Sequence, residues 1–455
     1  MENLLQKIVN LAKRRGFVFQ SSEIYGGVEG LWDLGPLGSL MKENLKNFWI
    51  KEFIFKEENI VLLNGTCLMH PKVWEASGHI EHFSDPLIEC KICHFRYRQD
   101  EIEEGKFVGQ GKATVKGQCP NCGGKSWTEP RMFNLMFKTF LGPVEDRAHQ
   151  TFLRPETAQS MFVNFKNVLN SMRMKLPFGI AQIGKCFRNE ITVGDFIFRL
   201  REFEIAEIEY FVKPGQDEKY FDFWVDRWEK FFLDLGIKKE NLRRYEHPKQ
   251  SLAHYSKRTV DIQYHFPFGW AELAGIANRG DYDLKRHSQF SGEDLSYFDE
   301  KEKKKYFPFV IEPTMGLERT ILALLCDAFS EIPGGRTKTT KPTKEIEILL
   351  KLDKKISPIK VAVFPLVKNN PELVKVSKEI WQMLRSHFST IYDEVGSIGR
   401  RYRRQDEIGT NFCVTIDFDT LKNKDVTVRD RDTMVQERVK IENLVQFLKE
   451  KLEYV

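Results

Sequence analysis

The sequence predicts an α+β fold organised as one large unit, a small metal-binding insertion and a separate C-terminal α/β unit. Three observations predict it. Residues 131–330 alternate strand-like runs (FGIAQIG, VDIQYHFPF, YFPFVIEP) with helical stretches. Residues 86–130 break that pattern with a polar, glycine-rich segment, EIEEGKFVGQGKATVKG, held between two CxxC pairs. Residues 331–357 are rich in Lys, Thr and Pro, and strands alternate with helices again beyond them.

At 455 residues the chain has room for about three domains. A net charge of +5 and a pI near 8.6 permit a nucleic-acid partner without requiring one. No apolar run approaches the ~18 residues of a membrane span. The start, MENLLQKIVNLAKRRGF, spaces Leu4, Leu5, Ile8, Val9 and Leu11 as an amphipathic helix and has no signal-peptide core. The expectation is a cytoplasmic protein with no membrane partner.

Taken in order, residues 1–85 mix helix and strand signals, with loops at YGGVEGLWDLGPLG and a helix over 41–55. Together with residues 131–345 they are expected to form one domain, interrupted by the insertion at 86–130. A linker is expected at 346–357. In residues 358–455, PIKVAVFPL, NFCVTIDFD and DVTVRD read as strands. PELVKVSKEIWQMLRSHF and RVKIENLVQFLKEKL read as helices.

Cys90-x-x-Cys93 and Cys119-x-x-Cys122 have the spacing of a four-sulfur structural Zn²⁺ site. Each CxxC turn places two thiolates on one arc, and two arcs close the shell without an open position. His94 is adjacent but not needed. The nearby run Cys122-Gly-Gly-Lys-Ser126 ends like a phosphate loop, but the earlier glycine such a loop needs falls on Cys119.

A second constellation combines carboxylates and arginines. If residues 199–209 form a strand, Arg199, Arg201, Phe203, Ile205, Glu207 and Glu209 share one face. A neighbouring strand over 180–190 would add Arg188 and Glu190. TFLRPETAQS brings Arg154 and Glu156, GWAELAGIANRGDYDL brings Glu272 and Arg279, and VIEPTMGLERTILALL brings Glu312, Thr314 and Arg319. Fixed arginines suit the charge that develops on phosphate oxygens in a phosphoryl or nucleotidyl transfer. Glutamates suit an ammonium, an adenine amino group or Mg²⁺. Phe203 suits stacking on a base. Residue chemistry alone therefore reaches a phosphate reaction on a small cationic substrate.

RNE followed by LREFE, together with EPTMGLER, resembles the second and third signature motifs of class II aminoacyl-tRNA synthetases. TFLRPETAQ, GWAELAGIANRGDYDL and REFEIAEIEYF are similar to segments of the dimeric glycine-specific type. The resemblance extends from YGGVEGLWDLGPLG to GRRYRRQDEIGT, and bacterial members of the family carry a cysteine-rich insertion at this place. It implies an antiparallel-sheet catalytic domain with a zinc-ribbon insertion, a C-terminal anticodon-binding domain and a homodimer. The implied reaction activates glycine with ATP and Mg²⁺ to glycyl-adenylate and passes glycine to tRNA-Gly.

By resemblance, Arg188 binds the α-phosphate and the amino-acid carboxylate, and Arg319 holds the γ-phosphate. Glu190 meets the adenine amino group, Phe203 stacks on the ring, and Glu272 lies near the nucleotide. Glu156, Glu207 and Glu312 surround the glycine ammonium, with Thr314 and Arg279 bounding that pocket. The sequence departs from the family's pattern at Thr66, Thr314, Asn411 and the loop TVGDFIF. Arg400, Arg401, Arg403 and Arg404 are expected either to meet the anticodon or to form a solvated face balanced by Asp406 and Glu407. Two rival readings stay open at this point. One is a catalytically inactive, synthetase-like nucleic-acid-binding accessory protein; the other is a class II synthetase for a different small amino acid.

Overall fold

The computed structural model describes residues 3–105, 115–146, 148–253, 255–336 and 346–453. The glycine-rich centre of the insertion and most of the Lys/Thr/Pro run lie outside the described residues.

Helix α1 (Leu4–Arg15) begins where Asn3 Oδ1 accepts the Gln6 N–H at 2.8 Å, and it ends at Gly16 with φ of 77°. Helix α2 (Pro36–Ile50) opens on a proline at its first turn and continues as a π turn through Phe55. Strand β1 (Ile60–Leu62) follows, then helix α3 (Ala158–Val163), strands β2 (Phe178–Phe187) and β3 (Glu202–Val212), and helix α4 (Asp217–Asp234). Strands β4 (Leu242–Glu246), β5 (Arg258–Phe266) and β6 (Gly269–Gly280) lead to helix α5 (Tyr282–Ser291), strand β7 (Phe309–Gly316) and helix α6 (Leu317–Ala328).

One seven-stranded sheet in the order β4-β5-β6-β7-β3-β2-β1 organises this part of the chain. All its pairings are antiparallel except β1 with β2. Strand alternation sets its two faces. Ala206, Ile208, Tyr210 and Val212 of β3 enter the main core beneath α1, α2, α4 and α6. The opposite face is apolar at one end only, where Phe162, Phe165, Phe178, Ile180, Phe211 and Leu284 pack together. At the other end of that face stand the charged side chains.

The insertion rises on a three-stranded sheet of Ser84–Glu89, Arg96–Arg98 and Arg131–Asn134, so its base reaches slightly beyond 86–130. The C-terminal part runs β8 (Val361–Pro365), α7 (Pro371–Leu384), β9 (Thr390–Tyr392), α8 (Ile398–Asp406), β10 (Phe412–Ile416), β11 (Asp425–Asp430), β12 (Gln436–Lys440) and α9 (Leu444–Leu452). Its five-stranded sheet has the order β9-β8-β10-β11-β12 around an apolar core of its own.

Two sequence expectations need correcting here. Residues 346–357 are not a spacer, because Ile346–Leu350 pairs with Phe329–Pro333 and Leu350, Leu352 and Ile356 are buried in the main core. Their alternating apolar residues are strand signal that the surrounding lysines obscured. The two charged strands are also shorter than expected. β2 ends at Phe187 and β3 starts at Glu202, and the chain between them turns with positive φ at Asp195 and Phe196. Arg188, Glu190, Arg199 and Arg201 therefore sit on loops, not in the sheet. Among the described residues, no helix is long and apolar enough to cross a membrane.

Candidate active site

The exit of β2 and the first turn of α6 face each other across the polar face of the sheet. Arg188 is anchored by Nε donating to the Pro155 carbonyl at 3.1 Å. Its guanidinium lies 5.4 Å from the ring centroids of both Phe83 and Phe203. Arg319 sits where a helix dipole repels a cation, so it needs local compensation. Glu272 provides it through an ion pair at 3.1 Å and a carbonyl that accepts from Nη1 at 3.0 Å. The Phe198 ring lies 4.3 Å from the same guanidinium. Arg188, Glu190, Phe203, Glu272, Thr314 and Arg319 all line one open cleft.

Thr314 joins this cleft to a deeper, acidic pit, because it pairs across the strands with Glu207. The pit is crowded with buried charge. Arg279, 1% exposed, is fully engaged. Its Nε and Nη2 donate to Asp283 at 2.7 and 2.9 Å, Nη1 donates to Glu312, and the Tyr255 ring lies 3.8 Å away. Burial disfavours its charge, yet Asp283 and Glu312 outweigh that and drive its pKa further up.

Each carboxyl in the pit has a different environment. Glu156 meets His79 Nε2 at 3.2 Å and accepts from Gln159 at 2.9 Å. Burial works against its charge, but His79, Arg279 and Gln159 hold the carboxyl well below the usual carboxylate range. Glu207 accepts from the Thr157 hydroxyl. Burial, and then the neighbouring charge of Glu156, push Glu207 up to about 7. Burial pushes the Glu312 carboxyl well above its ordinary range against the pull of Arg279, with Glu207 and Glu156 adding to the rise. A pit of this kind suits a small cation that can neutralise several carboxylates at once.

Other expected residues are held in contacts outside the acidic pit, although Arg199 still lines the cleft. Arg154 is structural, donating to the carbonyls of Lys185 at 2.7 Å and Gly65 at 2.9 Å. Arg199 pairs with Glu101 of the insertion at 2.6 Å, and Arg201 donates to the Glu29 carbonyl at 2.6 Å. In the basic run of α8, Arg401 is buried on the carbonyls of Gly396 and Pro365, and Arg404 pairs with Asp393. Asp406 and Glu407 do not balance that run. They pair with Arg336 and Arg429, and with Arg14 and Arg15, respectively. Sequence reasoning missed His79, Thr157, Gln159 and Asp283. Asp283 and Gln159 carried a local signal, lying four residues from Arg279 and three from Glu156.

The four expected metal ligands converge. Cys90 and Cys122 sulfurs lie 3.6 Å apart, Cys93 and Cys119 sulfurs 3.5 Å apart, and all four fall within 4.8 Å of one another. The edge of a tetrahedron with ~2.3 Å Zn–S bonds is about 3.8 Å, so the donor set fits Zn²⁺. His94 turns away to Glu89.

Comparison with known proteins agrees with this layout. Residues 140–327 match the tRNA synthetase class II core domain (G, H, P, S and T), and residues 360–451 match an anticodon binding domain. The crystal structure of prolyl-tRNA synthetase from Cryptosporidium parvum, complexed with halofuginone and AMPPNP, has the same fold. It superposes with a TM-score of 0.65 at 15% identity, covering 99% of this chain and 77% of that one. The chain is 51% identical to the glycine–tRNA ligase of Thermobifida fusca over 98% of both chains. It is 50% identical to that of Clostridium acetobutylicum over 99% of both. With two arginines over one cleft, an acidic pit beside it and relatives this similar from end to end, the chain belongs to the glycine–tRNA ligase family of class II synthetases.

Proposed function

We propose that the cleft binds ATP and the pit binds the glycine ammonium, so that the chain makes glycyl-adenylate and then charges tRNA-Gly. The observation that carries this reading is that Arg188 and Arg319, distant in sequence, line one cleft with Phe203 while Thr314 connects it to the carboxylates of Glu156, Glu207 and Glu312.

The glycine carboxylate attacks the α-phosphorus and pyrophosphate leaves; Arg188 stabilises the charge on the α-phosphate and orients the carboxylate. Arg319 holds the γ-phosphate, with Glu272 fixing its guanidinium. Glu190 accepts from the adenine amino group and Phe203 stacks on the ring. The 3′-hydroxyl of tRNA then attacks the acyl carbonyl and AMP departs. Mg²⁺ arrives with ATP as part of the substrate. Glycine offers no side chain to grip, so selection works by exclusion. The ammonium is fixed by the carboxylates, and the Thr314 methyl narrows the wall a larger side chain would need.

Cys90, Cys93, Cys119 and Cys122 would hold Zn²⁺ as a cross-link for the insertion. The C-terminal unit receives the anticodon, and the working form is a cytoplasmic homodimer. An ATP–pyrophosphate exchange panel across the amino acids tests the central claim. Exchange is expected with glycine alone, and Arg188→Ala is expected to lower it by at least about a thousandfold with an unchanged circular dichroism spectrum. Exchange driven equally by alanine or serine, or undiminished in the variant, overturns the reading.

A further inference from the structure

Glu209 is a buried carboxylate of the polar face that the proposed reaction leaves unused. It follows Glu207 by two residues on β3 and therefore points to the same side of the sheet. The register pairs Glu207 with Thr314 and Tyr210 with Ile311, which puts Glu209 directly opposite Glu312. One carboxylate oxygen from each of Glu207, Glu209 and Glu312 lies within 4.8 Å of the others. Glu209 is 0% exposed, and neither of its oxygens has a hydrogen-bond partner among the described residues.

The surrounding charges decide its state. Glu312, Glu207 and Asp283 are acidic, and the cation nearby, Arg279, already serves Asp283 and Glu312. On the other side, β2 offers Ile180 across the strand pair. Two like charges directly opposed and out of water cannot both persist. Both carboxyls are raised by burial, but Glu312 has the guanidinium and Glu209 has no partner among the described residues, so of the two it is Glu209 that keeps the proton. Burial, and then the charges of Glu312 and Glu207, hold its carboxyl well above the ordinary range.

We propose that Glu209 is a positioning residue for glycine selection, a neutral carboxylic acid whose O–H supports Glu312 from behind and keeps that carboxylate turned to Arg279 and the amine. One oxygen of Glu312 is taken by Arg279, so the other is the acceptor such a donor needs. A neutral neighbour also spares the pit a further negative charge that no cation there balances. The proposal rests on the reading that glycine occupies this pit.

The test uses the full-length enzyme and its Glu209→Gln and Glu209→Leu variants in glycine-dependent ATP–pyrophosphate exchange, with KM for glycine, KM for ATP and kcat measured from pH 6 to 8. Gln is neutral, equally long and a donor, so KM for glycine is expected within about twofold of wild type with the same pH profile. Leu removes the donor, so KM for glycine is expected to rise at least about tenfold while KM for ATP stays put. A Gln variant as impaired as the Leu variant overturns the proposal, because Glu209 would then act as a charged ligand of the amine or of a bound cation. A Leu variant indistinguishable from wild type also overturns it, reducing Glu209 to filler. If Leu prevents folding, the Gln variant decides by its glycine KM and pH profile. Absence of glycine-dependent exchange in the wild type would instead sink the underlying site assignment.

Discussion

Glu207 carries the most easily tested consequence of the crowded pit. Its carboxyl is raised to about 7 by burial and by Glu156, so the ionised form grows as pH climbs through that value and is lost below it. Only the ionised form attracts an ammonium. KM for glycine is therefore expected to rise as pH falls from 8 to 6, approaching about tenfold per pH unit on the acid side. Glu207→Gln should show a high KM that no longer responds to pH over this range. Titrating KM in exchange assays at constant ionic strength checks both; a flat wild-type profile would contradict them. At this scale the sequence pointed to carboxylates and arginines that the structure brings into one region, Glu207, Glu312 and Arg279 in the pit and Arg188 and Arg319 in the cleft. It missed His79 and Thr157, because a histidine in WEASGHI or a threonine in RPET carries no spacing that distinguishes a site from a loop.

Among the elements, β3 and its neighbours were legible because alternation is a local property of the chain. The strand ends were not. Arg199 and Arg201 continue the alternating pattern on paper, yet Arg199 reaches Glu101 of the insertion and Arg201 reaches the Glu29 carbonyl. Tertiary partners pulled those residues out of the sheet. The Arg199–Glu101 pair also ties the insertion to the wall of the cleft, since Arg199 lines it. Cys119→Ser is thus expected to abolish bound zinc and to loosen this wall, raising KM for ATP about two- to fivefold while KM for glycine changes less. Metal analysis of the purified variant, alongside exchange kinetics, checks it. Retained stoichiometric zinc would contradict the four-sulfur site.

Over the whole molecule, the C-terminal unit is clamped to the rest by buried charge. Arg336 pairs with Glu347 at 2.9 Å and with Asp406 at 2.8 Å, and donates to the Arg431 carbonyl at 2.5 Å. Arg14 and Arg15 of α1 meet Glu407 just beyond α8. Removing one partner of such a network leaves buried carboxylates short of a cation. Arg336→Ala is expected to cost about 2–4 kcal/mol, discounted because Arg429 still serves Asp406. The variant should melt several degrees lower and raise KM for tRNA in aminoacylation, with glycine-dependent exchange little changed. An unaltered melting curve would show that the clamp carries no load.

The sequence by itself determined the α+β class, the two CxxC arcs and a phosphate reaction on a small cationic substrate, because period, spacing and residue chemistry are local and survive without a fold; the glycine-activating reaction was implied by the resemblance of its motifs to a known family. Only the tertiary structure decided which charges face each other. It consumed Arg401 and Arg404 in internal bonds, turned the expected linker into a paired strand, and stood Glu209 behind Glu312, where Arg279 is already engaged. Those outcomes depend on register and burial, which set the cost of every charge and are fixed by residues far away along the chain.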